Sequence, residues 1–240
     1  MQWLLSLVHM VQAYVMMLIW GIVFAPWAIA SPRGARVACK TWAAYAMWTA
    51  RWMLGVRTEV RGPIPTDEVV IAAKHQSFLD ILMIFSAVPT AKFIMKRELM
   101  WTPIIGLYAY RLGCVPVSRG KRGAAIAKMV ADVEAGRAQP GQLIIYSQGT
   151  RVPPGKAAPY KVGTAVLYEQ LGQPCVPAAT NAGLFWPRSG IMRHPGLAVV
   201  EFLPRVAPGQ DRDSFMAGLE QRVEARSNAL MAEAGFHADH

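Results

Sequence analysis

The sequence predicts an α/β domain, with a mixed and largely parallel sheet flanked by helices, behind an N-terminal hydrophobic, membrane-associated helical segment. Three observations predict it. From Arg57 onward, short β-branched runs alternate with longer amphipathic ones, the pattern of strands interleaved with covering helices. The opening stretch, Met1 to Ser31, contains no Lys, Arg, Asp or Glu. The 240 residues are 53% hydrophobic and 17% charged, with a mean hydropathy of +0.24. Soluble domains carry about 25% charged residues, so this composition excludes disorder and an ordinary water-facing domain.

The elements follow in order. Met1–Ser31 is dense in Leu, Val, Met, Ile and Trp, and a helix of about 20 residues crosses the hydrocarbon core of a bilayer. It lacks the basic start of a cleavable signal peptide. Pro26 sits near its end, and Pro32, Arg33, Arg36 and Lys40 follow. A second apolar stretch, Thr41–Val56, is interrupted only by Arg51 and carries Trp42, Tyr45, Trp48 and Trp52, ring types enriched at membrane interfaces. Residues 1–56 therefore read as a membrane-associated unit, either spanning or lying in one leaflet as a hairpin. Residues 57–240 read as the α/β domain. Its strands are predicted at Glu68–Lys74, Ala91–Lys96, Gly113–Val117, Gln142–Ser147, Pro174–Thr180 and Leu197–Leu203. Its helices are predicted at Ser77–Ala87, Arg97–Tyr110, Arg122–Ala138 and Tyr160–Leu171. A last amphipathic helix, about Ser214–Ala234, sets Phe215, Leu219, Val223 and Leu230 on one side.

The formal net charge of +10 points to an anionic partner. No zinc-finger or RNA-binding signature accompanies it, which favours an anionic membrane surface over nucleic acid. Cys39, Cys114 and Cys175 lie far apart, without metal-ligand spacing or a disulfide framework, and read as reduced residues in a reducing compartment.

Three polar constellations follow predicted strands, where α/β sheets place their sites. In Lys74-His75-Gln76-Ser77-Phe78-Leu79-Asp80, His75 and Asp80 meet only if His75 stays in the loop and Asp80 lies on an early helical turn. Asp80 then holds Nδ1–H and leaves Nε2 as a general base. The second constellation, Gly113-Cys114-Val115-Pro116-Val117-Ser118-Arg119-Gly120, ends in a basic loop. The third is Tyr146-Ser147-Gln148-Gly149-Thr150-Arg151. An arginine beside a glycine after a strand suits a phosphate or carboxylate, which its planar fork of donors matches.

In this order the constellations resemble the lysophospholipid and glycerolipid acyltransferase superfamily, and more closely the bacterial 1-acyl-sn-glycerol-3-phosphate acyltransferases. His75–Asp80 matches the family's Asn-His-x4-Asp motif, and Arg119 the end of its second. Ser147-Gln148-Gly149-Thr150-Arg151 resembles Pro-Glu-Gly-Thr-Arg. Val176-Pro177 matches the short apolar fourth motif, and Lys96-Arg97-Glu98-Leu99 the Lys-x-Glu-Leu element. The resemblance runs from about Arg57 to Leu203. It implies a glycerolipid acyltransferase-like fold and acyl transfer from acyl-CoA or acyl-carrier protein to lysophosphatidate, giving phosphatidate in phospholipid synthesis. The implied location is the cytoplasmic face of a bacterial inner membrane.

By the same resemblance His75 is the base, supported by Asp80. Arg119 and Arg151, with Lys96, hold the phosphate, helped by backbone near Gly149 and Thr150. No metal or organic cofactor is implied, and neither Cys114 nor Cys175 has a histidine beside it in sequence. Two departures stand out. Lys74 replaces the usual asparagine, and Gln148 replaces the usual glutamate, keeping its shape and one acceptor oxygen but losing its charge. The alternatives are another lysolipid acceptor, such as a lyso-ornithine lipid, and a catalytically silent lipid-binding protein.

Overall fold

The computed structural model describes residues 1–117 and 140–236, with Ala127, Val130 and Ala131 between them. Arg119 and most of the predicted helix Arg122–Ala138 lie outside the described residues.

The chain begins with helices α1 (Gln2–Val23), α2 (Ala25–Ala30) and α3 (Pro32–Leu54). Pro26 sits in the first turn of α2, and Ser31 caps α3, whose first residue is Pro32, so both prolines occupy the position where a missing N–H costs nothing. Gly55 ends α3 in the left-handed conformation, with φ 71°. The buried face of α3 carries Gly34, Ala35, Ala38, Ala43, Ala46 and Ala50, a helical stripe of small residues that lets neighbouring backbones approach. A side chain at Gly34 would lie 2.6 Å from the Trp27 backbone.

Among the described residues the sheet has seven strands, in the order β1-β7-β6-β2-β5-β3-β4. They are β1 (Val56–Arg61), β2 (Val70–Ala73), β3 (Ala91–Lys96), β4 (Val115–Val117), β5 (Gln142–Tyr146), β6 (Cys175–Thr180) and β7 (Gly196–Phe202). All neighbouring pairs are parallel except β6 with β7. The sheet is thus mixed and largely parallel, as the sequence predicts. Helices α4 (Phe78–Ala87), α5 (Ile105–Arg111), α6 (Gly163–Leu171) and α7 (Arg212–Glu233) follow among the described residues.

Strand alternation sorts the core into two layers. Ile71, Ala73 and Ile144 pack toward the N-terminal helices and α4. Val70, Ala72, Leu143 and Ile145 pack toward α6 and α7. On α7 the predicted stripe of Phe215, Leu219, Val223 and Leu230 is buried, and Phe215 stacks on Tyr168 of α6 at 3.9 Å.

Two expectations need correction. The predicted helix Arg97–Tyr110 is broken into a 3-10 turn, Arg97–Trp101, and α5. Pro103 disfavours helical backbone at Thr102, and Ile104 then takes φ +67°, rare for a β-branched residue. Its side chain seats against Gly21 of α1, where a Cβ would meet it at 2.5 Å. The second correction is β1. It falls outside every predicted strand, where the apolar stretch Thr41–Val56 gives way to the α/β domain, yet it pairs with β7 along its whole length.

Candidate active site

The described site residues gather at the carboxyl ends of three adjacent strands. His75 follows β2, Ser147–Arg151 follows β5 and Lys96 ends β3, while Arg119 lies outside the described residues. In parallel sheets this edge collects loops and hence ligands.

The first loop is organised by α4. Ser77 is its N-cap and Asp80 its third residue, forming a reciprocal capping box. Asp80 Oδ2 accepts from the backbone N–H groups of Gln76 and Ser77 at 2.8 and 2.7 Å. Its Oδ1 lies 2.8 Å from His75 Nδ1. A carboxylate only accepts, so in the neutral imidazole the proton sits on Nδ1 and the lone pair on Nε2. The Asp80 side chain is fully buried and His75 is 12% exposed, so the imidazole is held from within and open at one edge. Ser77 Oγ donates to the Trp186 carbonyl at 2.6 Å, fixing the loop from a second side.

Beneath the imidazole lies Tyr146, the last residue of β5, with ring centroids 3.9 Å apart and planes 19° from parallel. Burial, with the Asp80 carboxylate beside it, pushes the Tyr146 phenol well above its ordinary value. It stays protonated and does not compete as a base.

The second loop turns sharply. Gly149 has φ +67°, a conformation that favours glycine, and its N–H donates to the Tyr146 carbonyl at 2.8 Å. That amide therefore closes the turn. Val152 N–H donates to the His75 carbonyl at 2.8 Å, so the two loops are joined directly beside Arg151. Arg151 Nη1 donates to the Arg188 carbonyl at 3.2 Å, and Arg188 Nη1 to the Arg151 carbonyl at 3.0 Å. This reciprocal pair puts two guanidinium groups on one rim. Arg188 sits in the loop after a 3-10 turn, Ala182–Leu184, and no motif in the sequence marks it.

Gln148 is buried, and its Nε2 donates to the Ala158 carbonyl at 3.1 Å and to Glu224 Oε1 at 3.4 Å. Lys96 stands at the exposed end of β3, 3.6 Å from Glu98, in a solvated pair that contributes little. Thr150 is half-buried beside Arg151. Burial pushes the thiols up, Cys39 to about 12, Cys114 to about 11 and Cys175 to about 12. All three stay protonated at neutral pH, which makes them poor nucleophiles.

Together these residues set an oriented imidazole at the carboxyl edge of the sheet, beside a cationic rim whose donors match an oxyanion. The chain belongs to the Acyltransferase family, whose model matches residues 56–181. It is 30% identical, over 82% of its length and 78% of the relative's, to the 1-acyl-sn-glycerol-3-phosphate acyltransferase of Pseudomonas aeruginosa. It is also 30% identical to 1-acyl-sn-glycerol-3-phosphate acyltransferase alpha of Mus musculus, over 66% of this chain and 58% of that one. The fold matches the crystal structure of the 1-acyl-sn-glycerophosphate acyltransferase PlsC of Thermotoga maritima with a TM-score of 0.78 at 20% identity. That match covers 95% of this chain and 97% of the other.

Proposed function

We propose that this protein transfers a fatty acyl group from acyl-CoA or acyl-carrier protein to the sn-2 hydroxyl of 1-acyl-sn-glycerol 3-phosphate, forming phosphatidate. The observation that carries the reading is the His75 Nδ1–Asp80 bond at the sheet edge, which leaves Nε2 free beside the Arg151 loop. His75 Nε2 takes the proton of the sn-2 hydroxyl as its oxygen attacks the thioester carbonyl. Asp80 balances the imidazolium. The tetrahedral intermediate then collapses, the carbon–sulfur bond breaks, and the imidazolium returns the proton to the leaving thiolate. Base catalysis of this kind contributes on the order of 10²–10⁴-fold, and the chemistry calls for no metal or organic cofactor.

Arg151 and Arg188 supply a forked, charged receptor for the acceptor phosphate. Lys96, at the end of β3, and Arg119, outside the described residues, complete it on this reading. Because a phosphate-free acceptor makes no use of these charges, an acceptor panel tests the assignment. Purified protein is offered lysophosphatidate, another lysophospholipid and a lyso-ornithine lipid, each with acyl-CoA and with acyl-carrier protein. Product from lysophosphatidate alone supports the reading. Preference for the phosphate-free lipid overturns it.

The N-terminal helices are read as an in-plane membrane anchor. Among the described residues one helix, Gln2–Val23, is long and apolar enough to cross a bilayer. Its 22 residues extend about 33 Å, yet both ends touch the rest of the protein. Gln2 donates to the carbonyls of Leu54 and Arg193, and the Gly21 carbonyl accepts from Tyr108 at 3.0 Å. Between those ends His9 meets the Ala46 carbonyl and Gln12 donates to Thr49. Standing α1 upright in hydrocarbon strips these polar groups of their partners. The opposite face leaves Leu4, Val11, Val15, Leu18 and Ile22 exposed, with Trp52 on α3 beyond it. That is the pattern of a helix lying in the interface, with the site held at the lipid boundary on the cytoplasmic side. Not every nearby cation serves the headgroups. Lys40 donates to the Val88 carbonyl at 2.7 Å, and Arg61 pairs with Glu59 and Glu233. Arg33, Arg51 and Arg57 remain exposed for anionic lipid.

A further inference from the structure

We infer that Glu224, on α7, is a positioning residue for the site, supplying from a distant helix the carboxylate that Gln148 does not carry. The inference rests on His75 being the base.

Side chains alternate along β2 and its extension. Val70 and Ala72 face α6 and α7, Lys74 continues on that side, His75 turns to the other, and Gln76 returns. The residues flanking His75 are therefore both anchored to α7. Lys74 Nζ lies 2.6 and 2.5 Å from the two carboxylate oxygens of Glu224. Gln76 Nε2 lies 3.7 Å from Met231 Sδ, seven residues or two turns further along the helix. The same carboxylate reaches the second loop. Glu224 Oε1 accepts from Gln148 Nε2 at 3.4 Å and from the Tyr160 hydroxyl at 3.0 Å. One side chain thus joins the residue before His75, the residue before Gly149, and the segment leading into α6.

The electrostatics give this arrangement its purpose. Lys74 is only 3% exposed, and a buried ammonium needs a counter-charge. It also sits one residue from an imidazole that must gain a proton during turnover, so an uncompensated charge there opposes catalysis. Lys74 Nζ and Gln148 Nε2 bond the same oxygen of Glu224, so the ends of the Lys74 and Gln148 side chains are neighbours around that one oxygen. A carboxylate at either position serves Lys74. In this chain it comes from the helix, and Gln148 is left with a buried Oε1 that has no partner among the described residues.

The test exchanges the two groups. Glu224→Gln keeps the shape and removes the charge, while Gln148→Glu combined with Glu224→Gln restores one carboxylate near Lys74 from the neighbouring loop. Acyl transfer and thermal melting are measured for both, with Glu220→Gln as a neighbouring control and His75→Ala in parallel. We expect Glu224→Gln to lower kcat at least about tenfold below its melting range, since small misplacements of a catalytic group are costly. The exchange variant should return to within about threefold of wild type, because the charge balance is restored. Glu224→Gln at wild-type kcat, or a folded exchange variant no better than Glu224→Gln, overturns the inference. If Glu224→Gln does not fold, an exchange variant that folds and keeps kcat within about threefold of wild type supports the inference, and one that does not fold or falls at least about tenfold below wild type overturns it. A His75→Ala variant that keeps its activity removes the base reading itself, whereas an inactive one beside a fully active Glu224→Gln removes only the role of Glu224.

Discussion

The rings of His75 and Tyr146 lie face to face, 3.9 Å between centroids, because β2 and β5 are parallel neighbours in register, with Ala73 opposite Tyr146. The imidazole is thus fixed in two directions: Asp80 holds one nitrogen and Tyr146 sets the plane. The stack continues from Tyr146 to Phe93 of β3 at 6.1 Å.

This relationship predicts a graded response at Tyr146. Tyr146→Phe keeps the platform and should stay within about threefold of wild-type kcat, since the phenol stays protonated and moves no proton. Tyr146→Ala leaves a void under the base. It should lower kcat by about 10–100-fold and destabilise the fold by about 2 kcal/mol. Steady-state kinetics and thermal melting of the two variants separate the platform from the hydroxyl.

Arg151 and Arg188 should act on the acceptor. Each alanine substitution is expected to raise the lysophosphatidate KM by about 10–100-fold, the equivalent of losing one charge-assisted hydrogen bond. The thioester KM should change much less. Equal effects on both substrates would show that the pair merely holds the loops together.

Burial lowers the pKa of His9 from its ordinary 6.5, with the Arg193 charge adding to the effect. The sign of the consequence is fixed by linkage. Below pH 6.5 the unfolded chain takes up a proton that the folded one resists, so this stabilising contribution is complete above pH 6.5. It is lost progressively as pH falls toward the depressed folded value. The wild-type melting temperature should therefore drop more between pH 7 and pH 5 than that of His9→Gln. Parallel curves for the two proteins would exclude His9 from the acid sensitivity.

The in-plane reading of α1 predicts that both its ends face the same side of a bilayer. Trp3→Cys and Val23→Cys, at two exposed positions, should both react with a membrane-impermeant maleimide added outside vesicles carrying externally bound protein. Labelling of only one of them means that α1 crosses the bilayer.

Much of the sheet was legible in the sequence for a physical reason. Strands β2 and β6 are buried on both faces, so each reads as a continuous apolar run. Strand β1 was not legible, because Val56-Arg57-Thr58-Glu59-Val60-Arg61 is an edge strand with one wet side and follows an apolar helix without a gap. The His75–Asp80 pair was legible because a capping box brings together residues five apart. The partner of Lys74 was not, since Glu224 lies 150 residues later and appears in the sequence as one more solvent-facing acid beside the apolar stripe of α7. Arg188 was missed for a related reason. Its position opposite Arg151 is set by the loop after the 3-10 turn, and no local pattern encodes it.

The central claim is that an Asp80-oriented His75 drives acyl transfer to lysophosphatidate. The most direct measurement follows labelled lysophosphatidate in vesicles with purified wild type and His75→Ala, using acyl-CoA and acyl-carrier protein in turn. The account predicts phosphatidate from wild type with at least one donor, and a rate on the order of 10²–10⁴-fold lower from a folded His75→Ala. Wild type that forms no phosphatidate with either donor, or a mutant that retains most of the activity, would contradict it.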